Sequence, residues 1–505
     1  MQDPLAAEPD AAGSQPREHT GDRDASQPRG RQPAAVRAVL LLLLLVNLAM
    51  SLYQLPVNRV VEWRVCRQYY AAHDPAKVGP GCGVDEQLCK IEAVQKTLGS
   101  LQGAMETIWI VGDFAMTLPL GFIAQRRGRR FILLLNLSSR IFMLSWAVVV
   151  GYFDSALPTN AIVVGPMLSV LGGDCVFNSM TYALVSDLAE DPVQRAIYFG
   201  YMSSISYVVA LSGPALASAT MSVFLWLPFC LGVVLLLLAT TAIASLPPTA
   251  GDNRRSSSQH DEEQRQHLLS SPILKAQDAT RDASILHSVA AHAQELLVIV
   301  TSHPRNFTLL LASFVLTSLA SSDTKLLAQY ISVRYRWTFA ATGYLLSGKA
   351  VVNFTLLAFI IPRLLRALHA SDSGSVDRAN MRHAKLCLGV SVIGALGIAS
   401  SAEIWMLFPS LLVYALGSAL PIFTLSLLKS PAISPPSRDD TPNPESHIFS
   451  IVMLCKTVGS LLGAPLMAAL WVSGIGVGGL ALGLPYVVSA ACYAIAIAVF
   501  ARIRV

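Results

Sequence analysis

Charge is scarce in this 505-residue sequence: Asp, Glu, Lys and Arg together make up 14% of it, against about 25% in a soluble domain. A water-facing globular surface is hard to build from so few charges. Metal-binding spacings are missing too. The 8 cysteines form no Cys-x-x-Cys or Cys-x-x-His pair, so no zinc site is expected. No His-Glu-x-x-His, no Gly-x-Ser-x-Gly and no dense His/Asp cluster occurs, which leaves enzyme chemistry without a motif; neither cofactor nor metal is expected. The formal charge is +5, but its basic residues sit in loops rather than along one face, which argues against nucleic acid. A cleaved signal peptide fits poorly, because a long charged lead precedes the first apolar run.

What is present is apolar. Hydrophobic residues make up 53% of the chain and the mean hydropathy is +0.51. They come in runs of about 20, the length that crosses a hydrocarbon core of about 30 Å. The expected fold is an all-α polytopic membrane protein with twelve transmembrane helices in two six-helix bundles. Candidate spans fall at 36–56, 98–124, 131–152, 159–186, 196–218 and 222–246, then at 306–330, 339–361, 384–402, 404–428, 447–471 and 480–501. Six spans, a polar break and six more make a repeat-like layout.

The remaining segments read as accessories. Residues 1–35 are rich in Pro, Gly, Asp, Gln and Arg, and are expected to form a disordered cytoplasmic tail. The first bundle is expected over 36–246, a cytoplasmic linker over 247–305 and the second bundle over 306–505. Within the linker, Leu286, Ala290, Ala293, Leu297 and Val300 recur at helical spacing, the pattern of an amphipathic helix.

Orientation follows the arginines. With the N-terminus in the cytoplasm, the second loop holds Arg126, Arg127, Arg129 and Arg130, and the eighth holds Arg363, Arg366, Arg378, Arg382 and Lys385. Two outer loops dissent, the first with Arg59, Arg64, Arg67 and Lys77, the seventh with Arg334 and Arg336. The inside bias remains the better fit, with both termini cytoplasmic in a plasma or vacuolar membrane. Cys66, Cys82 and Cys89 share the first outer loop, where one disulfide is expected, most readily through Cys66.

The turn between the second and third spans has its own logic. Gly121 and Gly128 allow close backbone approach, and the guanidinium groups suit carbonyls, carboxylates or lipid phosphates. The stretch Gly121, Gln125, Arg126, Gly128, Arg129, Arg130 resembles the loop signature of the major facilitator superfamily, G-x-x-x-D-R-x-G-R-R. Gln125 stands where that signature has Asp. In the family the Asp joins a charge network that latches the two halves, so the resemblance implies a latch with one charge missing. "CRQYY" at 66–70, Pro119 with Gly121, Gly172-Gly173, Ser186-Asp187 with Arg195, Gly213-Pro214, "QYISVRYRW" at 329–337 and "GLPY" at 483–486 extend the likeness. Together they are similar to the fungal branch related to solute carrier family 46, which includes the proton-coupled folate transporter. That resemblance implies a conformational network through Asp187 and Arg195.

Ionisable residues inside spans are expensive, at about 2.5–3.5 kcal/mol on insertion scales. Asp113, Arg140 and Asp174 all fall near the membrane midplane, about 15–18 Å from the inner ends of their helices at 1.5 Å per residue. Either a coupling proton rides on Asp113 or Asp174 while Arg140 holds an anionic substrate group, or a permanent Asp–Arg pair glues the helices. Glu106 lies two turns before Asp113, as an outer proton step or a snorkelling group. In the second half, Lys349 and Asn353 share a face at mid-depth, as part of the cavity wall or, for Lys349, as partner of a carboxylate in the first half. Asp323, Lys325, Arg334 and Arg336 cluster near the outer mouth, as structural pairs in preference to a gate.

The function expected is transport of a small solute, with organic anions among the candidates, by alternating access in a monomer embedded in the lipid bilayer. Proton-coupled symport is preferred, since a neutral carboxylic acid crosses low dielectric more cheaply than a carboxylate. Efflux by proton antiport and a transport-dead membrane sensor or scaffold are the rivals.

Overall fold

The computed structural model describes residues 32–78, 84–153, 156–188, 192–246, 305–355, 373–427 and 444–503. The expectations for a tail over most of 1–35, for the linker helix and for Cys82 lie outside those residues. Every element among the described residues is helical. Among the described residues nine helices are long and apolar enough to cross a membrane, and each of the twelve expected spans is met by helix over at least part of its length.

In the first half these are α1 (Gln32–His73), α2 (Glu92–Arg127), α3 (Arg129–Tyr152), a broken segment ending in α4 (Asp174–Leu188), α5 (Pro192–Val223) and α6 (Leu227–Ala244). The second half has α7 (Arg305–Ser321), α8 (Leu327–Arg334), α9 (Phe339–Thr355), α10 (Ser373–Ser400), α11 (Ile404–Leu416), α12 (Leu420–Leu427), α13 (Pro444–Val477) and α14 (Leu484–Ala501). The buried apolar residues form two cores. One is built from α1–α6 and closed by Ala328 and Phe339; the other runs from Phe307 to Ile503.

Three local expectations need correction. First, α1 does not stop near residue 56 but continues to His73. No Gly or Pro interrupts residues 57–73, so the helix carries Arg59, Arg64, Arg67 and Cys66 on its distal extension, where a loop was expected. Arg64 is almost fully buried and donates to the carbonyls of Val150 and Leu157 near the end of α3. Second, the fourth span is not one helix. Short turns cover Thr159–Val163, Val164–Met167 and Leu168–Leu171, and α4 starts afresh at Asp174. Gly172 adopts φ +128, which side-chain-bearing residues rarely reach. Third, the seventh span bends through a 3-10 turn, Ser322–Lys325, before α8.

The arginine turn is a single residue. Gly128 lies between α2 and α3 at φ +87 and donates to the Ala124 carbonyl at 3.0 Å. Only its backbone requires glycine: a Cβ on Gly121 would meet nothing within 4 Å, so the close approach expected there does not occur. Arg127 lays its guanidinium over the Phe131 ring at 5.5 Å, and Arg129 and Arg130 are half-buried. The side chains of Gln125, Arg126, Asp187 and Arg195 lie outside the described residues.

Candidate functional site

A helix interrupted inside a membrane exposes backbone groups that must find partners without water. The break before α4 recruits two neighbouring helices for this. Asn136 of α3 donates to the Gly173 carbonyl at 2.8 Å, and Ser139 donates to Leu168 O at 2.8 Å. From α2, the Asp113 carboxylate accepts the backbone N–H groups of Cys175 at 2.8 Å and Val176 at 3.5 Å. A carboxylate suits the positive end of a helix dipole. The approach is close enough that a Cβ on Gly173 would meet Asp113 Cγ at 2.3 Å.

Asp113 is therefore a cap, 6% exposed, and it is not the partner of Arg140 that its depth suggested. Arg140 pairs instead with Asp174, Nη2 to Oδ1 at 2.7 Å. Depth along a helix placed all three charges at one level, but only side-chain direction could choose between the two carboxylates. The guanidinium is held from every side. Its Nε donates to Asn136 Oδ1 at 2.8 Å, and its carbon lies 5.6 Å from the Trp109 ring centre and 5.3 Å from that of Phe177. Trp109 Nε1 also donates to the second Asp174 oxygen at 3.3 Å.

The pair forms part of the wall of a 440 Å³ cavity. The Arg140 side chain is 2% exposed and that of Asp174 is 60% exposed. Asp174 lies deep in the protein, so its open surface is cavity wall. Met50, Met105 and Met143 supply pliable apolar lining, and Asn47, Gln54 and Asn178 supply amides. The volume lies within the range of about 300–1,000 Å³ usual for small-molecule sites.

Glu106 lies on the same wall and pairs across to the second half, with Lys325 Nζ at 3.6 Å. Of the sequence candidates, the cavity thus gathers Glu106, Arg140 and Asp174, and excludes Asp113, Lys349 and Asn353 from its lining. Lys349 places its ammonium 5.5 Å from the Tyr414 ring centre. Asn353 Oδ1 accepts from Ser418 at 3.3 Å; both face the second half's own packing. The expected outer cluster does not assemble either. Asp323 turns to Tyr414, Lys325 to Glu106, and Arg334 to the carbonyls of Gly479 and Ser401.

A second network, unforeseen from the sequence, occupies the end of the molecule opposite the arginine turn. Lys90 donates to Glu62 at 2.6 Å, Glu86 at 3.3 Å and, across the halves, Ser332 Oγ at 2.6 Å. Its ammonium also lies 4.6 Å over the Phe339 ring, and Glu86 accepts the Phe339 N–H at 2.9 Å. Glu62 binds Arg59 at 3.0 Å and Gln95 at 2.7 Å as well. The segment carrying Glu86 and Lys90 is tied to α1 by the Cys66–Cys89 disulfide. The sequence signal was the alternation of acids and bases through 59–90, which a loop reading hides.

Comparison with known proteins agrees with the fold. The Major Facilitator Superfamily model matches residues 91–464. An MFS efflux pump, atnC of Emericella nidulans, is 27% identical over 477 residues, covering 93% of this chain and 89% of that protein. Among solved structures, the human organic anion transporter MFSD10 superposes with a TM-score of 0.56 at 17% identity, over 94% of this chain and 100% of the other. A D-xylose-proton symporter superposes with a TM-score of 0.58 at 12% identity, over 93% and 98%.

Proposed function

Because the chain belongs to the Major Facilitator Superfamily and is a multi-pass membrane transporter rather than an enzyme, we propose that it exports a small organic solute by alternating access, in exchange for a proton taken up at Asp174. The observation that carries this reading is the unequal exposure of the Asp174–Arg140 pair. An exchanger needs one group that the proton and the solute claim in turn. Asp174 meets the cavity with 60% of its side chain exposed, whereas Arg140 is held by Asn136 and two aromatic rings. A solute donor bound to Asp174 stabilises the carboxylate and a proton stabilises the acid, so each weakens the other by the same factor. When Asp174 is neutral, Arg140 still keeps Asn136 and the ring faces.

The cavity lining favours a solute with an aromatic or aliphatic body and a few polar groups. Export is supported by the relative from Emericella nidulans, which is named an efflux pump. That relative also leads us to group the chain with fungal exporters rather than with the solute carrier family 46 branch. We read the arginine turn as cytoplasmic. Arg59 and Arg64, which counted against that orientation, are engaged within the protein by Glu62, Glu86 and backbone carbonyls.

Symport is the second reading, favoured by the buried cation of Arg140. An anionic solute that displaced Asp174 from Arg140 would free the carboxylate to take a proton, and the two would bind together. Proteoliposomes containing the purified protein and a pH-sensitive dye separate the cases, with ethidium as aromatic cation and fluorescein as aromatic anion. Exchange predicts that ethidium entry drives protons out; symport predicts that fluorescein entry carries protons in. Asp174→Asn should abolish the pH response in either case. Flux that follows the pH gradient undiminished in Asp174→Asn would overturn both.

A further inference from the structure

The second half holds another carboxylate, in surroundings of a different kind. Asp323 has no exposed surface and sits in the 3-10 turn Ser322–Lys325. Both of its oxygens accept from one hydroxyl, Tyr414 Oη, at 2.9 and 3.1 Å. That hydroxyl lies 3.3 Å from Tyr493 Oη. Asp323 makes no ion pair among the described residues. The ionisable groups that face it are Tyr414 on α11, Tyr486 and Tyr493 on α14, and Lys349 on α9. Ser489 of α14 lies beside it and donates to the Ala320 carbonyl at 2.9 Å.

We propose that Asp323, Tyr414 and Tyr493 form a second proton-binding site, set in the second half and joined by one turn to the Glu106–Lys325 contact on the cavity wall. A buried carboxylate without a bonded cation is strongly disfavoured, whereas the acid form fits the same heavy-atom positions. With Asp323 charged, Tyr414 donates to it. With Asp323 protonated, its O–H donates to Tyr414, and that hydroxyl rotates to donate to Tyr493. The proton enters and leaves at an Asp323 oxygen, and no other reactant is needed.

The link to the cavity is covalent and short. Lys325 follows Asp323 by two residues in the same turn and reaches Glu106 of the first half at 3.6 Å. Glu106 and Lys325 line the 440 Å³ cavity and also a second cavity of 220 Å³ between α2, α7 and α13. Adding a proton to Asp323 changes the charge of the turn that presents Lys325, and leaves Lys349 as the remaining charge near Tyr414. The site therefore responds to protonation on one side of the turn and acts on the contact between halves on the other.

This inference rests on the proton-exchange reading only for the use made of the proton, so its test addresses occupancy directly. Infrared difference spectra of the purified full-length protein in lipid, taken between acid and alkaline pH, report buried carboxylic acids through their C=O stretch. The band expected for Asp323 should persist in Asp174→Asn, disappear in Asp323→Asn and change frequency in Tyr414→Phe, which removes its hydrogen-bond partner. A band that survives unchanged in Asp323→Asn overturns the assignment. Should Asp323→Asn fail to fold, Tyr414→Phe decides alone, and an unshifted band there overturns it. Loss of pH-driven flux in Asp174→Asn with this band intact supports both proton sites; an intact band with unaltered flux supports Asp323 and removes the exchange role of Asp174.

Discussion

The distal network around Lys90 and the central network around Arg140 are both buried ion clusters, yet they differ in what their acids can reach. The Lys90 and Glu62 side chains are 1% and 0% exposed, and the ammonium is enclosed by two carboxylates, a hydroxyl and a ring. Arg140 is as deeply buried, at 2%, but its acid Asp174 is 60% exposed to the cavity. Where both members are sealed, the pair can only hold structure together, here the two halves through Ser332 and Phe339. Where the acid opens onto a cavity, the pair can be broken by something that enters. Burial alone does not separate the two pairs; unequal burial within the pair does.

The same isosteric charge removal in each network should give opposite results. Glu62→Gln removes the more deeply buried of the two carboxylates that Lys90 and Arg59 share and leaves Glu86 to serve both; it should cost about 3–5 kcal/mol, read as a fall in the thermal unfolding midpoint in detergent. Asp174→Asn keeps an oxygen facing Arg140, which also retains Asn136 and two ring faces, and should cost less than Glu62→Gln while removing the pH response of transport. Equal destabilisation by the two variants would erase the distinction.

A smaller effect is expected where the distal network is tethered rather than bonded. Replacing Cys66 and Cys89 together by Ser frees the segment that carries Glu86 and Lys90, and should cost about 2–4 kcal/mol. Reductant should lower the parent's melting midpoint to that of the double variant and leave the variant unmoved. If reductant leaves the parent's melting midpoint where it was, the bond is not contributing to the distal closure.

The smallest effect falls on the acid that depth along the helix made prominent. Asn caps a helix about as well as Asp, so Asp113→Asn should change stability by less than about 0.5 kcal/mol, and Asp113→Ala by about 1 kcal/mol. Solute flux and its pH dependence should survive in Asp113→Asn. Loss of the pH response there, with Asp174→Asn unaffected, would move the coupling group from the cavity wall to the cap.

Much of the architecture was readable because a membrane makes secondary structure a local matter. Each run of about 20 apolar residues must satisfy its own backbone, so the spans could be placed without knowing their neighbours. The turn at Gly128 was legible for a similar reason, since a one-residue link with positive φ requires glycine. The extension of α1 was missed because Arg59, Arg64 and Arg67 look like loop residues until Glu62, Glu86 and distant carbonyls are brought beside them. The break in the fourth span had a visible marker, Gly172-Gly173 directly before Asp174, but its meaning depended on Asp113 and Asn136 of other helices.

By itself, then, the sequence determined a helical membrane protein and which charges fall within its apolar runs, because hydropathy acts along one chain segment at a time. Partnership was decided only in three dimensions. Which of three nearby cysteines bond, whether Arg140 takes Asp113 or Asp174, and which half Lys325 faces all depend on side-chain direction across helices that are far apart in sequence. A difference of a few ångströms there separates a cap from an ion pair. Linear depth along a helix carries no information at that scale.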